Sequence, residues 1–237
     1  MTEQQLRQDL ASCHHIIHYY GWDDLVATHL SARIPNTDHI LITPHNVPFE
    51  SVCASSLIRC DLEGKTIGDD VYAIMPQAQN IHTPIYKSRP EVMCAIHTHS
   101  VYGIAVASLE CGFLFTNQQS LWFYNDVAYH DYNALALDNE GDEIVKSIGN
   151  KSVMVLRNHG LLAVADSIEL AMYRLYYLEK SCEIQVKTLS TSKSITHIDE
   201  SVCNQTYEQF KKVKSPREAF IALVARVDGE YKVNFRD

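Results

Sequence analysis

Three histidines in this 237-residue chain have the spacing of ligands for a single metal ion. His97 and His99 follow the apolar run 92–96, and side chains two apart on a strand project to the same face. His159 follows a second apolar run, 152–156, and directly precedes a glycine. Ends of buried strands are where α/β sheets leave their ligand crevice. Because three neutral imidazoles with an open fourth position form a catalytic zinc site, we predict that one divalent ion binds here.

A structural role for the same histidines is the alternative. A His-x-His pair occurs often by chance, and three histidines at strand ends can simply form hydrogen bonds. The histidines of the first predicted helix have a weaker context still. His14, His15 and His18 lie within little more than one turn, where a solvated helix face is the ordinary interpretation.

The elements that position the three histidines follow from the hydrophobic pattern. A capping box at Thr2–Gln5 opens an amphipathic helix that Gly21 ends. Strands are predicted at 29–34, 39–43, 92–96, 152–156 and 161–164, with a helical turn, a strand and a turn within 55–65. Further helices are predicted at 79–88, 101–109, 168 to about 189, about 201–212 and about 216–227. Since strands and helices intermix, we expect a three-layer α/β sandwich.

Length and composition narrow the class of protein. The chain is long enough for one core or two small ones, and we expect a single domain over 1–237 with a helical extension at about 190–237. A net charge of −9 argues against nucleic acid as a partner. No apolar run approaches membrane-spanning length, and the first residues do not have the pattern of a signal peptide. Seven scattered cysteines are expected to be reduced, so we predict a cytoplasmic protein with no membrane partner.

A specific set of motifs surrounds the predicted metal ligands. The stretch Arg89–His99, with His82 and Tyr86 upstream and Arg157–Gly160 downstream, resembles the class II aldolase/adducin family. Ser31–Arg33, Leu41–Pro44 and Asp61–Lys65 also match in family order, so the resemblance runs from the first helix to about Leu189. Within the family, the chain is similar to the adducin-like bacterial branch, and the stretches that carry this similarity are Gln77–Ala78, Gln118–Ser120, Val127–Tyr132 and Glu179–Gln185.

This resemblance implies a fold, a cofactor and an assembly. The implied fold is an αβα sandwich with a mixed, largely antiparallel central sheet. The implied cofactor is a divalent metal, zinc before manganese, on His97, His99 and His159. The family usually forms cyclic tetramers with active sites between subunits, so we expect a homotetramer that acts on a small-molecule substrate.

Departures from the family pattern affect the expected chemistry. Sugar-phosphate aldolases of the family carry a proton-shuttling glutamate, and that position is Ala78 here. In the family, two serines precede this glutamate, and this chain has Pro76 and Gln77 at their positions. The phosphate loop of the family is replaced by Thr28–Ser31, and its threonine-glycine turn by His45–Asn46. A phosphorylated sugar held in the usual way is therefore not expected.

Further candidates come from positions that face the substrate in the family, often from a neighbouring subunit. The candidate catalytic residues for proton transfer are His29, Tyr129 and Tyr132. The candidate substrate-binding residues are His45, Asn46, Gln77, Gln118 and His130. His29 and His45 could equally be solvated loop histidines. His82 is a candidate for a hydrogen bond near the metal, although structural packing is the favoured interpretation of this residue.

Two functions from different classes remain open on the sequence. The first is a metal-dependent lyase that cleaves or decarboxylates a small carbonyl or carboxylate substrate. Decarboxylation suits the missing glutamate, because loss of carbon dioxide generates the enolate without deprotonation of a hydroxyl group. The second is a non-catalytic, adducin-like binding module that retains the metal site. Retention of all three histidines favours the enzyme.

Overall fold

A mixed β-sheet forms the centre of the protein in a computed structural model that describes residues 1–68, 71–135, 140–213, 215–228, 235 and 237. The strands within these ranges are β1 (His29–Arg33), β2 (His39–Ile42), β3 (Ile58–Asp61), β4 (Cys94–Thr98), β5 (Val127–His130), β6 (Val153–Leu156) and β7 (Gly160–Ala165). Their order is β3-β2-β1-β4-β7-β6-β5. The β5–β6 pair is parallel and the other pairs are antiparallel. The predicted mixed, largely antiparallel sheet is confirmed.

Helices cover both faces of this sheet. They are α1 (Glu3–Tyr20), α2 (Pro76–Ser88), α3 (Val101–Ala107), α4 (Glu140–Ile148), α5 (Ile168–Leu189), α6 (Glu200–Phe210) and α7 (Pro216–Asp228). One core, with Leu10 and Leu175 among its members, lies between the sheet and α1, α3, α5 and α7. The other core includes Ile81 and Ile144 and lies between the sheet and α2 and α4. The three-layer αβα architecture is thus confirmed.

Strand alternation decides which layer each polar residue of the central strands faces. Leu30 of β1 and Ile96 of β4 belong to the core beneath α5, whereas Ala95 belongs to the core beneath α2. By the same period of two, His29 and His97 face α2 and Thr98 faces α5. His29 and His97 are also direct cross-strand partners in the β1–β4 ladder. The sheet therefore places two histidines side by side on one face.

Most element boundaries agree with the predicted ones within a few residues. The hairpin of β1 and β2 pairs Ser31 with Ile42, as its turn at 35–38 predicts. Helix α2 begins at Pro76 and not at residue 79, because proline suits the first helical position. Pro84 lies beyond the first turn, in the interior of this helix. None of the described helices combines the length and apolarity needed to cross a membrane.

The expectation of a solvated face for His14 and His15 is wrong. Both rings are buried, because α1 is covered on one side by the sheet and on another by segments around Val52 and Phe235. His14 Nδ1 donates to the Leu10 carbonyl oxygen (2.8 Å), while its Nε2 pairs with the Thr43 hydroxyl (2.8 Å). His15 Nε2 donates to the Val52 carbonyl oxygen (2.8 Å). These histidines are core residues held by hydrogen bonds.

Candidate metal centre

Three imidazole nitrogens meet at one end of the central strands of the sheet. The Nε2 atom of His97 lies 2.9 Å from that of His99 and 3.2 Å from that of His159, and the latter two are 2.9 Å apart. His97 is buried within β4, His99 follows the strand directly, and His159 lies in the turn between β6 and β7. These separations approach the ~3.4 Å expected between nitrogens that share one tetrahedral ion at ~2.1 Å.

The turn that carries His159 depends on two unusual backbone positions. Asn158 has a φ of 57°, a left-handed conformation that asparagine tolerates better than most residues. Its neighbour His159 donates its backbone N–H to the Leu156 carbonyl oxygen (3.0 Å). A Cβ atom at Gly160 would lie 2.2 Å from the Thr98 carbonyl oxygen, so only glycine allows β7 to start this close to β4. The glycine thereby brings His159 to the other two histidines.

Hydrogen bonds at the far side of two rings fix where their protons lie. His97 Nδ1 donates to the Leu161 carbonyl oxygen (2.8 Å), and His99 Nδ1 donates to a carboxylate oxygen of Asp24 (3.2 Å). Because both acceptors lack a proton to give, each neutral ring has a bare lone pair on Nε2. Two lone pairs 2.9 Å apart repel each other, and a cation between them removes the repulsion. The donor set therefore fits a divalent ion.

Burial keeps these rings uncharged. Desolvation lowers the pKa of His97 well below its ordinary value and lowers the pKa of His159 to about 4. Burial also lowers the pKa of His99, although the Asp24 carboxylate acts in the opposite direction. Since a neutral imidazole is the form that binds metals, the cluster is ready for an ion at neutral pH.

The buried side chain of Glu179 on α5 holds the segment between and after His97 and His99. Glu179 accepts hydrogen bonds from the Thr98 hydroxyl (2.7 Å) and the Ser100 hydroxyl (2.5 Å). Ser100 also caps α3, since its hydroxyl oxygen accepts the Gly103 N–H (3.0 Å). His99 thus lies between two residues that are bound to the same side chain.

The candidate His29 lies beside the cluster and is not a solvated loop histidine. Its ring centroid is 4.8 Å from those of both His97 and His82. Its Nδ1 is 2.7 Å from Nε2 of His82, whose other nitrogen contacts the Ser31 hydroxyl (2.5 Å). His82 is therefore joined to the histidine cluster through His29, and no hydrogen bond among the described residues joins it to His97, His99 or His159.

The remaining aromatic and basic candidates separate into two groups. Tyr132 is 49% exposed and its ring centroid lies 6.3 Å from that of His159, which places it at the mouth of the site. The hydroxyl of Tyr129 instead accepts the backbone N–H of Phe113 (3.0 Å). His130 points to α4, where its ring nitrogens lie near side-chain oxygens of that helix, 3.0 Å from Ser147 and 3.3 Å from Glu140.

The candidate substrate-binding residues are more dispersed. His45 is half-buried and donates its backbone N–H to the Ala73 carbonyl oxygen (2.9 Å), while Asn46 is exposed with a φ of 63°. Gln77 is half-buried in the first turn of α2, and Gln118 is exposed. Within the described part of the chain, none of these four forms a hydrogen bond to the three histidines.

Several residues at the site had no signal in the sequence analysis. Asp24 lies in an irregular segment after α1, and nothing in its spacing relates it to His99 some 75 residues away. Ser31 and Glu179 were seen only within longer matching strings. The strand pattern shows which face of the sheet Ser31 occupies, and the helical pattern shows which face of α5 carries Glu179. Neither pattern shows which side chain each residue contacts.

Comparison with known proteins shows the family and supports the fold. Residues 8–186 match the family described as Class II Aldolase and Adducin N-terminal domain. The chain belongs to this class II aldolase and adducin family. An aldolase II superfamily protein from Pseudomonas syringae superposes with a TM-score of 0.94 at 32% identity, covering 100% of this chain and 96% of that one. An L-fuculose 1-phosphate aldolase from Glaciozyma antarctica gives 0.85 at 28% identity, with 99% and 93% covered.

The adducin side of the family is also represented. Mouse alpha-adducin is 35% identical over 195 residues, which span 80% of this chain and 26% of that protein. A class II aldolase-type domain of this size therefore occurs both as a bacterial chain and as part of a longer adducin. Since the family includes both aldolases and adducins, the reaction of this chain must be argued from its own site residues.

Proposed function

We propose that this protein is a divalent-metal-dependent lyase that cleaves or decarboxylates a small carbonyl or carboxylate substrate. The observation that carries the proposal is the arrangement of His97, His99 and His159, with two bare Nε2 lone pairs facing each other. A divalent ion at this site, zinc before manganese, would polarise a substrate oxygen as a Lewis acid. The resemblance of the chain to a fuculose-phosphate aldolase supports the reaction class.

The chain contributes two groups that can act on a substrate beside the ion. His29 lies against His97 in the buried part of the site, and Tyr132 lies at the exposed edge near His159. Either group can donate a hydrogen bond to a substrate oxygen, and the exposed phenol can exchange its proton with water. Tyr129 is less suited, because its hydroxyl is bound to the Phe113 backbone.

The surroundings support a substrate that is not a sugar phosphate. Ala78 is fully buried, and its methyl group cannot move a proton where the family aldolases have a carboxylate. The Ser31 hydroxyl, at the position of the family phosphate loop, is bound to His82 and Tyr86. Decarboxylation fits these residues better than aldol cleavage, since it needs no carboxylate base at position 78.

We also propose a homotetramer with the site near a subunit boundary. Leu25 and Val101 are 84% and 77% exposed, although one follows Asp24 directly and the other lies two residues after His99. Apolar side chains exposed at the rim of a site are typical of a surface that a partner covers. A cytoplasmic location is proposed together with this, on the presence of seven free cysteines in the described chain.

The metal and the reaction can be tested in one preparation. Protein purified without a histidine tag should contain about one zinc or manganese ion per chain by elemental analysis, and His159→Ala should lose it. The loaded protein is then assayed with fuculose 1-phosphate and, separately, with a panel of hydroxylated and aromatic carboxylic acids. We expect metal-dependent release of carbon dioxide from one of the acids and little or no aldol cleavage.

The outcomes separate the competing functions. Robust cleavage of the sugar phosphate by the unaltered chain would show that the missing glutamate does not matter, and Ala78→Glu is the matched comparison. A well-ordered ion with neither activity would favour the non-catalytic, adducin-like module. Absence of an ion from protein refolded with excess zinc would refute the metal centre itself.

A further inference from the structure

A buried series of four polar side chains leads away from the metal centre towards α2. His29 Nδ1 lies 2.7 Å from His82 Nε2, His82 Nδ1 lies 2.5 Å from the Ser31 hydroxyl, and that hydroxyl lies 2.9 Å from the Tyr86 hydroxyl. All four side chains are 2% exposed or less. Buried polar groups without partners are costly, so these hydrogen bonds hold one another in place.

The proton order along this series follows from the chemistry of the groups. The phenol of Tyr86 is a stronger acid than the alcohol of Ser31, and an imidazole nitrogen is the strongest base present. The strongest bonds form when Tyr86 donates to Ser31 and Ser31 donates to Nδ1 of His82. Burial lowers the pKa of His82 to about 3, so this neutral ring has a single proton. That proton is then on Nε2 and is donated to Nδ1 of His29.

This order determines what His29 presents on its other side. With Nδ1 acting as an acceptor, the neutral ring must carry its proton on Nε2. No hydrogen bond joins that Nε2 to another described residue, and the ring lies beside His97. An N–H held there is available to a molecule that enters the site.

We propose that Tyr86, Ser31 and His82 are positioning residues that fix His29 as the Nε2–H tautomer, a neutral hydrogen-bond donor to a substrate oxygen. The proposal rests on the lyase function above and assigns His29 its form in that site. A preorganised donor aimed at an oxygen that gains charge stabilises the transition state, and no reorganisation is needed. An uncharged donor also suits a site that holds a divalent cation, because it adds no like charge.

Neutron diffraction from deuterium-exchanged crystals of the zinc-loaded protein tests the tautomer directly. We expect deuterium on Nε2 of both His29 and His82, with the Ser31 hydroxyl directed to His82. Deuterium on Nδ1 of His29 would overturn the proposal. This measurement needs no turnover, so its result is independent of whether the lyase assay succeeds.

A binding experiment tests the effect of the series on a bound molecule. The probe is acetohydroxamate, which chelates zinc and places an anionic oxygen at the ion, and its Kd is measured by calorimetry on zinc-loaded protein. Ser31→Ala should raise this Kd about fivefold, the usual effect of losing one neutral hydrogen bond. Ser12→Ala is the matched control, because it removes a buried hydroxyl that donates to the Gln8 carbonyl oxygen (2.8 Å) on α1.

A second variant keeps the experiment decisive. Tyr86→Phe preserves the ring and removes only the last hydroxyl of the series, so it serves if Ser31→Ala loses zinc. It should raise the Kd of acetohydroxamate by a smaller factor, with zinc content unchanged. An unchanged Kd in the zinc-loaded variants would show that His29 is not positioned through these residues.

Discussion

Single side chains outside the three histidines control the geometry of the proposed metal centre. His97 is oriented by a backbone carbonyl of β7, which the sheet holds in place, but His99 is oriented by the side chain of Asp24. Asp24 lies in an irregular segment and is 52% exposed. A single substitution of Asp24 should therefore free the ring of His99 to rotate without disturbing the core.

We predict that Asp24→Ala weakens zinc binding by about 10-fold to 100-fold, the usual effect of removing a partner that orients a ligand histidine. Without the carboxylate, His99 loses the acceptor for its Nδ1 proton and can rotate or change tautomer. Competition with a chromophoric chelator measures the Kd for zinc. Asp23→Ala is the control, since Asp23 bonds His18 and not a ligand. Equal affinities for the two variants would contradict this role for Asp24.

The sequence predicts those site residues that can be recognised from their spacing along the chain. The pair His97 and His99 at a strand end, and His159 before a glycine, could be found by spacing. Asp24 and Ser31 could not, because their partners lie elsewhere in the chain and nothing local marks the contact. His14 shows the opposite case. Its position on the helix predicted a side chain exposed to solvent, but the side chain is buried because α1 is covered on more than one side.

Among the elements, α5 positions the site from beneath the sheet. Glu179 on this helix binds Thr98 and Ser100, and further along Gln185 binds the backbone of Gly112 (2.7 Å) and Leu114 (2.8 Å). Its buried stripe is long enough to reach from the metal-binding segment to the loop after α3. Helix α5 therefore couples two segments that are distant in sequence.

Glu179 makes a testable contribution to the pH dependence of stability. Burial raises the pKa of this carboxyl to about 7, against the effect of its two hydroxyl donors. A carboxyl whose pKa is higher in the folded state stabilises the protein below its ordinary pKa of 4.5, and this contribution is lost as pH rises to about 7. In the metal-free protein, the stability advantage of wild type over Glu179→Gln should therefore fall by up to ~1.4 kcal/mol per pH unit in that window.

Urea denaturation at several pH values between 5 and 7.5 measures this difference, with chelator present throughout. The matched control is Glu183→Gln on the same helix, because Glu183 pairs with Lys180 and Lys187 and its pKa is lowered. Its difference from wild type should not change over this range. A flat profile for Glu179→Gln would show that the carboxyl is ionised throughout.

The elements that sequence analysis missed share a physical cause. Strand β5 is short and only alternately buried, with Val127 and Tyr129 half-covered, so it lacks the apolar run that marks β6. Helix α4 has nine residues, and its buried isoleucines, Ile144 and Ile148, are too few to establish a helical period of apolar residues in the sequence. Longer elements such as α5 repeat their pattern several times, and the end of α5 was predicted at about residue 189, where the structure has it.

Several histidines in the described part of the chain are buried and uncharged, and this affects the stability of the protein in acid. Burial lowers the pKa of His14 and His82 to about 3, and that of His159 to about 4. A histidine with a lowered pKa stabilises the folded state above its ordinary pKa of 6.5, and the contribution is lost as pH falls towards the lowered value. Unfolding should therefore become easier below pH 6.5.

We predict that His14→Gln reduces this acid sensitivity. The substitution removes one titrating group outside the metal centre, so the free energy of unfolding should fall less steeply between pH 6.5 and 5, by up to ~1.4 kcal/mol per pH unit. Urea denaturation at each pH provides the measurement. The control is His197→Gln, because His197 is exposed and the change should leave the slope unaltered. Parallel slopes for wild type and His14→Gln would count against the argument.

The exposed apolar residues around the site lead to a prediction about assembly. Leu25, Val101 and Tyr132 are 84%, 77% and 49% exposed, and each lies close in sequence or space to Asp24, His99 or His159. If the subunits of the proposed tetramer meet at this rim, Val101→Asp places a charge in the contact and should convert the tetramer into smaller species. Light scattering at micromolar concentration should show this change, while elemental analysis should still find the ion. Ile221→Asp, on the exposed side of α7, should remain tetrameric. A wild-type monomer, or a tetramer that survives Val101→Asp, would show that this rim is not the contact between subunits.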